Sequence, residues 1–99
     1  MVFKRVDSNQ AQIVKALRDI GCTVEHLHAI GKGVPDILVG SKSRNFLLEI
    51  KDGDKKVLTP DQANWHKLWK GQVHVVTSVD DAKLLLWKLT DEYRSERSD

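Results

Sequence analysis

The sequence predicts one α/β domain, a small mixed sheet flanked by helices in the order α-β-β-β-α-β-α. Three observations carry that reading. Ninety-nine residues suffice for one core and not for two. Apolar residues recur at helical spacing near both ends and after Thr59, while the segments between are short apolar runs of strand type. Glycines and polar clusters punctuate these runs where turns are needed.

Each element has its own signals. Asp7 or Ser8 can cap a first helix whose apolar positions are Ile13, Ala16, Leu17 and Ile20, ended by Gly21. Cys22 to Ile30 reads as a strand, and Gly31 and Gly33 mark a turn. Val34 to Val39 is apolar apart from Pro35 and Asp36. The polar stretch Gly40 to Asn45 connects it to a third strand, Phe46 to Lys51. Two apolar strands so joined are expected to pair antiparallel. After a charged loop, Thr59-Pro60-Asp61-Gln62 starts a helix with an N-cap threonine, a proline in the first turn and a glutamine placed for a capping box. That helix carries Trp65, Leu68 and Trp69 and stops near Gly71. Gln72 to Thr77 is the last strand, added in parallel through the crossover helix. Ser78 with Asp81 caps a final helix striped by Val79, Ala82, Leu86, Leu89 and Tyr93, and Arg94 to Asp99 reads as a frayed tail.

Composition narrows the class. Hydrophobic content of 40% with 30% charged is ordinary for a globular domain. No apolar run approaches the ~20 residues of a membrane span, and the start lacks a signal-peptide core. The single cysteine, Cys22, excludes an internal disulfide and is expected to be a buried, inert thiol. The expectation is a cytoplasmic protein. Net charge is only +2, but its distribution is uneven. Between Gly31 and Lys70 stand eight bases (Lys32, Lys42, Arg44, Lys51, Lys55, Lys56, Lys67, Lys70) against five acids, whereas from Gly71 onward six acids face four bases. A basic middle suits a local polyanion site.

Asp36, Glu49 and Lys51 are charges set into strand-like apolar sequence, where unpaired charge is costly. Alternation places Glu49 and Lys51 on one face and Ile50 on the other. If the hairpin brings Asp36 beside Glu49, two carboxylates converge. Hard cations such as Mg²⁺ are held by one or two carboxylates, a carbonyl and waters, with positions left open for phosphate. The Ile50 carbonyl is a further candidate ligand, and Lys51 can hold the scissile phosphate or attacking water, or stabilise developing charge. The bland alternative, a turn-capping Asp36 and a surface Glu49–Lys51 pair, explains neither the order nor the apolar setting.

Pro35-Asp36 followed by Glu49-Ile50-Lys51 resembles the PD-(D/E)XK nuclease signature. The finer motifs, Gly-Lys-Gly-Val-Pro-Asp-Ile-Leu-Val-Gly, Leu-Leu-Glu-Ile-Lys-Asp-Gly and Leu-Thr-Pro-Asp-Gln, resemble the small stand-alone VRR-NUC nucleases, many carried by phages. The resemblance spans roughly residues 8–85. It implies a restriction-endonuclease-like αβββαβ core with an extra C-terminal helix. It also implies an endonuclease that hydrolyses phosphodiester bonds in DNA and leaves 5′-phosphates. Four-way junctions or other branched DNA are expected substrates. Asp36 and Glu49, with the Ile50 carbonyl, would hold Mg²⁺ or Mn²⁺. Lys51 would be the catalytic lysine and Gln62 an accessory active-site residue. Lys32, Lys42, Arg44, Lys55 and Lys56 would contact phosphates without reading bases. A homodimer is expected, because the last helix is apolar beyond one stripe (Leu84, Leu85, Leu86, Trp87, Leu89) and two symmetric sites suit branched DNA. One departure stands out: many superfamily members offer an acid from the first helix, where this chain has Asn9, Gln10 and Gln12. Gln10 is left as a contact to metal-bound water.

Other residues carry weaker signals. His26 and His28 alternate on the expected second element, but nothing completes a zinc set. His66 follows Gln62 by one turn and is read as structural, and His74 as lying on an exposed strand face. Trp65, Trp69 and Trp87 could stack on bases, but their spacing with Leu68 and Leu86 favours packing in a core or interface. Two rival functions remain: a non-catalytic DNA-binding module on the same fold, and an accessory protein whose last helix docks a partner.

Overall fold

A computed structural model describes residues 8–53 and 57–97, with side chains through 91. Helix α1 is Gln10–Asp19, followed by strands β1 (Thr23–His26), β2 (Ile37–Ser41) and β3 (Arg44–Ile50). Helix α2 (Pro60–Leu68), strand β4 (Val73–Val76) and helix α3 (Val79–Arg97) complete the expected order. The strands lie in the sheet in chain order; β1, β2 and β3 form an antiparallel meander, and β4 adds to β3 in parallel.

The core occupies one face of this sheet. Ile37, Val39, Phe46, Leu48, Ile50 and Val76 are fully buried, against Ile13, Val14 and Leu17 of α1 and Ala82 and Leu86 of α3. Burying one such side chain contributes about 1.5–3 kcal/mol, so this face supplies most of the stability. Cys22 joins it as a free thiol, its pKa pushed up mainly by burial. The opposite face is covered only in part. Leu38 and Leu47 are half-buried there and, with Asn45, Trp69, Gly71 and Gln72, line a groove of about 490 Å³.

Several boundaries differ from expectation, each for a local reason. The cap of α1 is Asn9, whose side chain makes no capping bond; its amide instead donates to the carbonyls of Lys51 (3.3 Å) and Thr77 (3.0 Å). Asp7 lies outside the described residues, and the Ser8 hydroxyl donates to Asp52. Strand β1 stops at His26, because Leu27 to Ile30 closes a turn (Ile30 N to Leu27 O, 3.0 Å), so His28 is not on the strand. The β2–β3 connection is tighter than the expected polar loop. Only Lys42 and Ser43 lie between the strands, both with positive φ (51° and 65°), as a primed two-residue turn demands. Helix α3 continues to Arg97, through most of the expected frayed tail; the Tyr93 side chain is outside the described residues. The Ser78 and Asp81 caps form as read, with Asp81 N donating to Ser78 Oγ (3.0 Å) and Thr77 N donating to Asp81 (2.9 Å).

Candidate active site

The site lies where β3 ends, and four elements converge on it. Asp36 comes directly after the buried Pro35 and just before β2. Its backbone is held on both sides: its N–H donates to Leu48 O (3.1 Å), and its carbonyl accepts from Leu27 N (2.8 Å). Its carboxylate, 3% exposed, accepts from Ile50 N at 2.7 Å. Asp36 therefore reaches the peptide joining Glu49 to Ile50. The β2–β3 register (Ile37 opposite Leu48) makes this possible.

Glu49 points to the face opposite the core yet is only 1% exposed. Helix α2 covers it. Gln62 Nε2 donates to Glu49 Oε2 (3.2 Å), while Gln62 Oε1 accepts from Lys51 Nζ (2.6 Å) and from Thr59 N (2.9 Å). The Thr59 hydroxyl accepts from Gln62 N (3.2 Å), which completes the capping box. Gln62 thus has both roles considered from sequence: it caps α2 and bridges Glu49 to Lys51. Lys51 itself follows β3 with its N–H on Val76 O (2.9 Å).

Two contacts hold the elements around the site. The turn before β2 carries three consecutive positive φ angles, at Gly31 (71°), Lys32 (58°) and Gly33 (81°). At Gly33 a methyl would collide with the Asp61 carbonyl and crowd the Gln62 amide, so the absence of a side chain lets the loop press against the first turn of α2. On the other side, Asn9 ties the start of α1 to the Lys51 and Thr77 carbonyls. The sequence reading did not anticipate either contact. A polar N-cap whose side chain is spent elsewhere leaves no sequence mark, and Gly33 was read only as punctuation.

Of Gln10 and the histidines, His66 lies nearest the site, within reach of the Lys51 charge. Gln10 is 2% exposed, its Nε2 lies 3.3 Å from His26 Nδ1, and its Oε1 is buried without a hydrogen-bond partner among the described residues. Its place on the buried stripe with Ile13, Val14 and Leu17 is the signal that marks it. The His26 and His28 rings meet edge-on at 5.6 Å. His66 is half-buried, its Nε2 buried without such a partner. Burial, then the positive charge of Lys51, holds its pKa below the ordinary 6.5. His74 is half-buried rather than exposed, and burial lowers its pKa too.

The expected basic surface is divided. Lys32 is exposed beside α2. Lys42 and Arg44 stand at the other end of the hairpin; Arg44 pairs with Ser41, five residues from Asp36, which puts both roughly 17–20 Å from it at ~3.4 Å per strand residue. Arg44 lies 5.7 Å over the Phe46 ring and donates to Leu89 O (3.4 Å). Lys55 and Lys56 lie outside the described residues. Among the described residues no three His, Cys, Asp or Glu side chains form a metal-binding group, which leaves two carboxylates as the acidic donors.

With this geometry in hand, likeness to a solved structure becomes informative. A structure described as a "VRR_NUC domain" superposes with a TM-score of 0.65, at 21% identity, covering 81% of this chain and 96% of that one. The fold is that of a VRR_NUC domain. Neither a protein-family model nor a curated protein matches the chain. In this VRR_NUC fold the Asp36–Glu49–Lys51 constellation sits at the strand ends that α2 overhangs.

Proposed function

We propose that the chain is a metal-dependent endodeoxyribonuclease that hydrolyses phosphodiester bonds in duplex or branched DNA, four-way junctions included. The observation that carries this reading is a pair of buried carboxylates, 3% and 1% exposed: Asp36 bonded to the Ile50 N–H, and Glu49 linked through Gln62 to Lys51. Buried carboxylates favour added positive charge. The donor set fits a hard divalent cation: carboxylate oxygens and a neighbouring Ile50 carbonyl match the oxygen ligation of Mg²⁺ or Mn²⁺. Asp36 and Glu49 would hold it, and it would neutralise phosphate charge and lower the pKa of the attacking water.

The chain's own residues do the rest. The Ile50 N–H fixes the Asp36 carboxylate, and Gln62 fixes Glu49 while aiming the Lys51 ammonium. Lys51 is half-exposed and delivers a cation to the phosphate that enters from solvent. Lys32 holds the neighbouring backbone. Leu84 and Trp87 of α3, 62% and 66% exposed, support a homodimer, which sedimentation of the wild type against Trp87→Lys tests.

The deciding assay is a panel of end-labelled linear, nicked, flapped and four-way DNAs with Mg²⁺ or Mn²⁺. The wild type is expected to cut at least one with 5′-phosphate ends, and Lys51→Ala to lose at least about a hundredfold of the rate, the scale of removing one charge-stabilising group. A wild type that binds DNA but cuts none would instead leave a binding module.

A further inference from the structure

Beside the proposed catalytic centre is a second feature that cleavage does not use. A groove of about 180 Å³ is lined by Lys32, Asp61, Asn64, Trp65, Leu68 and Trp69. Asp61, Asn64, Trp65 and Leu68 share one face of α2, at helical spacing from the residue next to Gln62. Trp65 and Trp69 are stacked, with centroids 4.6 Å apart and planes 19° from parallel. Trp69 is nevertheless 45% exposed and Leu68 62% exposed. These aromatics are not in the core of the chain.

The loop that closes the groove is held in costly geometry. Lys32 has φ 58° between two positive-φ glycines, a conformation that costs a side-chain-bearing residue roughly 1–2 kcal/mol. Strain of that kind persists where surrounding structure requires it, and here the Gly33 contact with the backbone of Asp61 imposes it. The result is a groove lined by one cation and an indole pair. The volume is well below the roughly 300 Å³ at which drug-sized sites begin. One flat ring system fits, with Lys32 for a phosphate and Asp61 and Asn64 for polar base edges.

We propose that this groove receives an unpaired nucleobase of the DNA strand being cut, stacked on Trp69 while Lys32 holds its phosphate. The inference rests on the nuclease reading for its substrate. The groove runs about 10 Å along α2 from Asp61 to Leu68, at 1.5 Å per residue. Its Asp61 end adjoins Gln62, so it accepts a base close to the scissile bond. Such a site would favour flaps, overhangs and opened junctions over continuous duplex.

The test is fluorescence anisotropy without divalent metal, so that nothing is cut, on a labelled duplex with a short overhang. The comparison DNA has the same overhang with abasic sites, which keeps every phosphate and removes the bases. Wild type is expected to bind the base-bearing overhang about tenfold more tightly, the scale of one base–aromatic stack. Trp69→Ala should lose that preference, Trp69→Phe should retain most of it, and Lys32→Asn should weaken both DNAs. Equal binding of the two DNAs by wild type would overturn the proposal, and so would an undiminished preference in Trp69→Ala. A change of sedimentation in Trp69→Ala without DNA would assign the groove to a second copy and likewise overturn it. The cleavage panel separates the two readings: cutting without base preference removes only the groove assignment, and base preference without cutting removes only the nuclease.

Discussion

The two faces of the sheet solve opposite problems. One buries Phe46, Leu48 and Ile50 completely between α1 and α3, and its residues are interchangeable in chemistry if not in shape. The other buries Glu49 beside a half-open Leu47, where helix α2 brings Gln62 against its carboxylate. Stability concentrates on the first face and chemistry on the second, so mutations should separate the two.

The largest effect on stability is expected on the core face. Leu48→Ala should lose about 2–5 kcal/mol in urea unfolding, a large share of what a domain of this size has. Its neighbour Lys51→Ala, on the site face, should unfold at nearly the wild-type midpoint while failing to cut. Equal destabilisation would break the contrast.

Gly33→Ala comes next, because it forces a side chain into φ 81° and against the Asp61 carbonyl. A loss of about 1–3 kcal/mol together with slower cleavage is expected, since α2 carries Gln62. Gln62→Ala should cost about 1–2 kcal/mol through the lost cap and the partners it abandons, and at least tenfold in rate. Gln62→Glu sharpens the point: a glutamate can complete the capping box, but it sets a second anion beside Glu49. Stability should recover more than activity does.

The smallest effect is a pH slope from His74. Burial lowers its pKa below 6.5 in the folded chain, so the unfolded chain binds more protons below that value. Stability should therefore fall as pH drops through 6.5 towards the folded pKa and stay flat above it. Thermal midpoints at successive pH values should show a shallower slope for His74→Gln than for wild type.

The same division explains what the sequence revealed. The core face announced itself because alternation and helical spacing are one-dimensional patterns, and the element order follows from them. Asp36, Glu49 and Lys51 stood out as charges in apolar runs. Gln62 was visible through its capping box, a local rule, although its bonds to Glu49 and Lys51 are long-range. What stayed hidden depends on tertiary approach. Asn9 reaching the Lys51 and Thr77 carbonyls, Gly33 pressed on Asp61, and the separation of Lys42 and Arg44 from the site all require the pairing register and helix docking. The exposure of the Trp65–Trp69 stack is hidden for a related reason, since helical spacing reports a shared face and not whether that face is covered.

The most direct test is the thermal midpoint of wild type and Glu49→Gln across a Mg²⁺ or Mn²⁺ titration. A cation held by Asp36 and Glu49 in the folded chain alone stabilises it by about 2.7 kcal/mol at a hundredfold excess over Kd, roughly 10 °C or more for a domain of this size. Wild type should rise by that amount and return with EDTA, while Glu49→Gln should not respond. An equal response of the two proteins, or none in wild type, would contradict the claim that these two buried carboxylates form a metal site.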